Sequence, residues 1–253
     1  MTEIAPSILS ADFTLLGEEI DSVITAGARI LHVDVMDGRF VPNITIGPPV
    51  LRSISDYLAR STASAPHAER VLLDTHLMIV EPEALIPKFV HAGAQYLTVH
   101  QEACPHLDRT IRTIKAAGIK AGVSINPATP LSLLEHLLVE EDGRPLVDLI
   151  LLMSVNPGAG GQAFIPYMHG KIRTLRSMLD RAGLTGRTVL EVDGGIKDDN
   201  ILQVIAEGAD WVVVGTGIYT RDCDPGERFR VLDGMIHPRR LAAERREQCG
   251  ETP

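Results

Sequence analysis

Eight short runs rich in Val, Ile and Leu recur along the chain: EIAPSIL, ILHVDV, VLLDTHL, QYLTVH, IKAGVSI, LVDLILLM, TVLEVD and WVVVG. Between them lie amphipathic stretches such as FTLLGEEIDSVITAGA, PEALIPKFVHAGA, LDRTIRTIKAAG, YMHGKIRTLRSMLDRAG and DNILQVIAEGAD, whose apolar residues return at three- and four-residue steps. Gly27, Gly93, Gly118, Gly183 and Gly208 close these stretches, where a helix ends by turning the chain through positive φ. Alternating strand and helix calls for a parallel sheet, and eight units of about 30 residues each make an α/β fold of the (β/α)8 TIM barrel type the expected architecture. A doubly wound open sheet is the alternative. Against it, IAPSILSADF rather than a G-x-G-x-x-G turn follows the first strand, and GAGG at 158–161 lacks that spacing.

A length of 253 residues suits one large α/β domain or two small ones. No linker interrupts the pattern, so one barrel domain over 1–253 is expected. RSTASAPHAER near 60–70 reads as a polar surface loop, and EEDGRP within 138–147 as another. LAAERREQCGETP reads as a charged helix end fraying near 246–253. A formal net charge of −9 with scattered Lys and Arg argues against nucleic acid or an anionic membrane as partner. Cys104, Cys223 and Cys249 have no CxxC spacing, so neither a disulfide framework nor a zinc finger is indicated, and a reducing cytoplasm is the expected location. The apolar runs are too short for a signal peptide or a membrane span.

In a barrel of this kind, side chains at the C-terminal ends of the strands converge on one mouth. Those ends carry Ser7, His32 with Asp34, His76, His100, Asn126, Asn156 and Asp193. Alternation puts His32, Asp34 and Met36 on one face of their strand, a costly burial unless the polar groups have partners. His32, Asp34, His76 and Asp193 form an N/O donor set able to hold one divalent metal ion, Zn²⁺, Fe²⁺, Mn²⁺ or Co²⁺. Each alone has a structural explanation, as a satisfied core histidine or a turn carboxylate; four on one rim are harder to explain that way. NPGAGGQ (156–162), DGGIKDD (193–199) and VVGTGIY (213–219) end the last three strands, and glycine-exposed N–H groups after strands seven and eight suit a phosphate. The GAGGQ loop is also placed to act as a lid.

IAPSILSADF, HVDVMDGRFVPN, DTHLMI, NPATP, MSVNPGAGGQAFIP and EVDGGI, in this order, resemble the ribulose-phosphate 3-epimerase family from Ile4 to about Tyr219. The resemblance implies a ribulose-phosphate-binding barrel that interconverts D-ribulose 5-phosphate and D-xylulose 5-phosphate with a divalent metal. It implies that His32, Asp34, His76 and Asp193 are the ligands and that Asp34 and Asp193 are also the acid/base pair. By the same pattern Ser7 and His76 touch substrate, with Gly158, Ala159, Gly160, Gly161, Gly194, Gly195, Gly215 and Thr216 in the binding loops. Such a reaction needs two proton-transfer groups on opposite faces of a planar enediolate. Met36, Met78 and Met153 would wall it with apolar, polarisable surface. A small phosphosugar is the expected partner, in a homo-oligomer of unspecified order.

Two departures bear on substrate choice: Ala159 stands where the family usually carries an aromatic residue, and VVGTGIY replaces the usual AGSA ending. Its GT-type ending is similar to that of enzymes acting on D-allulose 6-phosphate, which is the alternative substrate. Other chemistries fit less well. A Schiff-base aldolase needs a lysine at a strand end, and Lys88, Lys115, Lys120, Lys171 and Lys197 do not supply one. A related decarboxylase would show Asp-x-Lys-x-x-Asp where DTHLMI stands. A non-catalytic phosphosugar-binding barrel would not need two opposed carboxylates, and Cys104 lacks a base to make it a nucleophile.

Overall fold

The computed structural model describes residues 2–60 and 71–238. Eight parallel strands follow one another around a barrel: Glu3–Pro6, Ile30–Met36, Leu72–Met78, Tyr96–His100, Lys120–Ile125, Leu149–Met153, Val189–Asp193 and Trp211–Val214. The first strand pairs with the eighth, and a parallel bridge from Ser7 to His32 closes it onto the second. Each expected strand is present. The Gly residues that end the helical stretches all have positive φ, from 72° at Gly183 to 115° at Gly208, as their position after a helix requires.

Helices Leu16–Thr25, Pro48–Arg60, Ile86–Ala92, Leu107–Ala116, Met168–Arg181, Ile201–Ala206 and Pro225–Ile236 cover the barrel. In the fifth crossover a 3₁₀ helix, Leu131–Leu137, takes the place of an α-helix. Pro48–Arg60 and Pro225–Ile236 begin on proline, whose missing N–H costs nothing in a first turn, and Asp224 caps the second by accepting from Glu227 N–H at 3.0 Å. EEDGRP, expected as a loop, forms an antiparallel hairpin pairing Glu140–Glu141 with Arg144–Pro145. Asp142 and Gly143 both turn at positive φ, as a two-residue Asp-Gly turn demands. Most of the polar loop near 60–70 and the tail near 246–253 lie outside the described residues.

Strand alternation splits the buried residues into two sets. Outward-facing Leu31, Val33, Leu73, Leu77, Leu97, Val99, Val123, Ile150 and Leu190 pack against the helices. Inward, Ile30, Leu149 and Trp211 form an apolar floor with Leu72, Tyr96 and Val189, the Tyr96 and Trp211 rings meeting at 5.1 Å. Above this floor the lumen turns polar, with His32, Asp74, Thr98 and Glu191 fully buried. Among the described residues no helix is long and apolar enough to cross a membrane.

Candidate active site

The register of the second and third strands sets the centre of the site. It aligns His32 with Asp74 and Asp34 with His76, so two imidazoles and two carboxyls alternate on adjacent inward positions. Asp34 is the hub: Oδ1 lies 3.2 Å from His32 Nε2 and 3.0 Å from His76 Nδ1, and Oδ2 accepts from Ser7 Oγ at 2.7 Å. Behind His32, Nδ1 meets Asp74 Oδ2 at 2.6 Å, with Glu191 Oε1 at 3.7 Å. Behind His76, Nε2 meets His100 Nε2 at 2.9 Å, and His100 Nδ1 meets Glu102 Oε2 at 3.2 Å. Asp193 joins from the seventh strand, aligned with Met153 and Val213 on its two neighbours.

Burial and charge drive these groups apart in acidity. Burial alone would raise Asp34, but His32 and the hydrogen bonds from both histidines hold it far below the usual carboxylate range. Burial pushes Asp193 up to about 7, with Asp34 adding repulsion. Burial opposes charging of His32, yet Asp34 and Asp74 outweigh it and hold the imidazole well above its ordinary value. His76 goes the other way, drawn down to about 4 chiefly by burial. The result is one carboxyl ionised and its neighbour poised near neutrality, a division of the kind that acid/base pairs require.

The cavity above is lined by Asp34 and Asp193, by Met36, Met78 and Met153, and by the three glycine loops. Ser7, Gly158, Ala159, Gly160, Gly161, Gly194, Gly195, Gly215 and Thr216 all reach it. His32 and His76 lie beneath its wall, fully buried. Gln162 Nε2 ties the lid by donating to Asn156 O at 2.7 Å and Ala159 O at 2.9 Å. Gly195, at φ 66°, sits under the lid's end, and a Cβ there would lie 2.4 Å from Phe164 N and 2.8 Å from Gln162 O. Gly195→Ala is therefore expected to destabilise the protein by about 2–5 kcal/mol, from backbone strain plus overpacking, and to raise KM. Thermal unfolding and steady-state kinetics check this; unchanged values would show that the loop yields freely.

A sequence profile of the Ribulose-phosphate 3 epimerase family matches residues 3–219. The chain belongs to the ribulose-phosphate 3-epimerase family. Its relatives include a ribulose-phosphate 3-epimerase of Synechocystis sp., 52% identical over 218 residues, 85% of this chain and 86% of the relative. The Escherichia coli protein of the same name is 46% identical over 232 residues, 92% of this chain and 93% of that one. The fold is shared more widely. Orotidine 5'-phosphate decarboxylase from Pyrococcus horikoshii superposes with a TM-score of 0.62 at 14% identity, over 92% of this chain and 99% of that one.

Within this family member, the donor set fits a metal ion. One ligand atom from each of His32, Asp34, His76 and Asp193 lies within 4.8 Å of the others. Ligands at about 2.0–2.2 Å from one Zn²⁺ sit roughly 3–4 Å from each other, the spacing seen around Asp34. Both imidazoles also turn a nitrogen toward the same carboxylate oxygen, a convergence that a cation satisfies. Sequence reasoning missed Leu9, Ser10, Gln162 and Ile196 in the cavity wall and the deeper Asp74 and Glu191. Ser10 follows Ser7 by one 3₁₀ turn, Ile8–Ser10, which brings its Oγ within 2.6 Å of where a Cβ on Gly215 would stand. Asp74 and Glu191 each precede a site residue by two on the same strand face, a signal that alternation carries. Burial pushes the Cys104 thiol up to about 12, which suits a packing role.

Proposed function

We propose that this chain catalyses 3-epimerisation of a ketose phosphate, interconverting D-ribulose 5-phosphate and D-xylulose 5-phosphate. The observation that carries the reading is the placement of Asp34 and Asp193 on the second and seventh strands at one cavity, within a four-residue cluster suited to a metal ion. Inverting C3 requires a proton to leave one face and another to arrive on the opposite face. Asp34, ionised, serves as base from its side, and Asp193, poised near 7, serves as acid from the other; in the reverse direction the roles exchange. Ser7 holds Asp34 Oδ2 through its hydroxyl, fixing the carboxylate's orientation.

His32, Asp34, His76 and Asp193 would hold one divalent cation, Zn²⁺, Fe²⁺, Mn²⁺ or Co²⁺. When bound, it supplies positive charge to the substrate oxygens as negative charge develops beside C3. Met36, Met78 and Met153 pack around the reacting carbons and exclude water. Backbone N–H groups at Gly194, Gly195, Gly215 and Thr216 receive the phosphate, and Gly158, Ala159, Gly160 and Gly161 close over the sugar.

Steady-state turnover of D-ribulose 5-phosphate by metal-loaded protein tests the reading, with D-allulose 6-phosphate in parallel. A clear preference for the pentulose supports it. A preference for the hexulose, the substrate suggested by Gly217 and the small Ala159, would keep the chemistry and reassign the sugar. Cation binding has a proton signature of its own. At pH 6 the metal-free protein carries an extra proton on His32, whose Nε2 must be bare to bind, while Asp193 keeps the proton it delivers in catalysis, so Zn²⁺ binding should release about one. Affinity therefore rises with pH until His32 loses that proton unaided. Calorimetry in buffers of different ionisation enthalpy reads the count; zero release at pH 6 would contradict the ligand set.

A further inference from the structure

His76 is held from behind by a chain of groups that reaches from the lumen to the loops of the fourth and fifth strands. A contact of 2.9 Å between His76 Nε2 and His100 Nε2 is a hydrogen bond only if one nitrogen of the two carries the proton. A carboxylate, which can only accept, faces each end of this chain: Asp34 Oδ1 lies 3.0 Å from His76 Nδ1, and Glu102 Oε2 lies 3.2 Å from His100 Nδ1. Two neutral imidazoles have two N–H protons for three contacts, so in the metal-free protein the two carboxylates compete for them. A cation held by Asp34 and His76 Nδ1 would settle the competition: His76 Nε2 then donates to His100 Nε2, and His100 Nδ1 donates to Glu102.

Glu102 is itself fixed: its Oε1 accepts from Asn126 N at 2.8 Å and from the Thr129 hydroxyl. His100 is fully buried and its ring lies 4.5 Å from that of Phe40.

We infer that His100 and Glu102 are positioning residues that act through His76, favouring the tautomer that presents His76 Nδ1 to the divalent cation. The inference rests on the metal reading above and extends it to residues that touch neither cation nor substrate. His32 has a separate arrangement, with Asp74 Oδ2 at 2.6 Å from its Nδ1 leaving Nε2 to face Asp34. Groups in this position behind a ligand histidine change metal affinity by about 10–100-fold.

The isosteric change Glu102→Gln gives the sharpest test. Two donors face Oε1 and one faces Oε2, so the amide oxygen takes the first place and the NH₂ group turns to His100 Nδ1. That leaves Asp34 unopposed: His100 Nδ1 accepts, His100 Nε2 donates, and the proton of His76 is held on Nδ1, where it blocks the cation. Two measurements apply to wild type, Glu102→Gln, His100→Phe and Thr129→Val. Imidazole ¹⁵N shifts of the metal-free protein near neutral pH report which nitrogens are bare. Co²⁺ titration, followed by its visible bands against a competing chelator, reports affinity.

In the metal-free wild type the His76 proton should be shared between Nδ1 and Nε2, with His100 partly protonated at Nδ1, whereas Glu102→Gln should hold it on His76 Nδ1 with His100 protonated at Nε2. Co²⁺ affinity should fall about 10–100-fold in Glu102→Gln and in His100→Phe. Thr129→Val, which removes one of the two donors to Glu102 Oε1 but leaves the Asn126 N–H bond and the Oε2 contact with His100, should lower affinity much less than Glu102→Gln. A wild-type His76 as fully protonated at Nδ1 as that of Glu102→Gln, or a Glu102→Gln protein with wild-type affinity, would overturn the inference. A fall in affinity in Thr129→Val equal to that in Glu102→Gln would also overturn it, by reducing Glu102 to a loop anchor. Wild-type protein that shows the expected tautomers but takes up no Co²⁺ would instead overturn the metal reading, and the positioning role with it.

Discussion

Asp34→Asn should lower kcat for epimerisation by roughly 10³–10⁴-fold, near the upper end of what one acid/base group contributes. The expected loss is large because Asp34 has two tasks in this account. It is the ionised base, kept so by His32 and by the hydrogen bonds from both histidines, and it is the hub on which Ser7, His32 and His76 converge. An amide keeps the shape and a bond to Ser7 but can neither take a proton nor neutralise a cation. The barrel should persist, because the apolar floor and the outward packing do not involve residue 34. Circular dichroism shows whether the fold is kept, and a near-normal rate in folded protein would refute the role.

Asp193→Asn should abolish net epimerisation to a similar degree, with one difference that separates the two carboxyls. With Asp34 intact, the C3 proton on its face can still be withdrawn and returned, so one epimer should exchange that proton with solvent without inverting. Asp34→Asn, in turn, should lose exchange from that same epimer. Incubating each variant with each epimer in D₂O and following deuterium at C3 gives four results with a defined pattern. Exchange lost from both epimers in Asp193→Asn would contradict the division of labour between opposite faces.

The barrel was legible because its signals are local. Strand runs such as ILHVDV carry their own alternation, and helices ending at Gly27 or Gly208 carry their own stop. Pro48–Arg60 follows the same apolar spacing, with Leu51, Ile54 and Leu58 buried, but it opens on a proline pair that reads equally as a turn. The hairpin at 140–145 had its strongest signal in Asp142-Gly143, yet its strands are two residues each, too short for alternation to register. The mouth of the site was readable because strand ends converge in a barrel whatever the details. What supports it was not, since the pairing of His32 with Asp74 depends on register between strands about forty residues apart. Glu102 is harder still. Its link to His100 runs around a 3₁₀ turn, Gln101–Ala103, and nothing in HQEA announces that the carboxylate folds back on the imidazole.

The most direct test of the central claim is ¹H NMR of metal-loaded protein with D-ribulose 5-phosphate in D₂O, following loss of the C3 proton signal and growth of D-xylulose 5-phosphate. The account predicts both together, with deuterium entering at C3 and at no other carbon. Absence of C3 exchange and of the xylulose epimer, in folded protein carrying its cation, would contradict it.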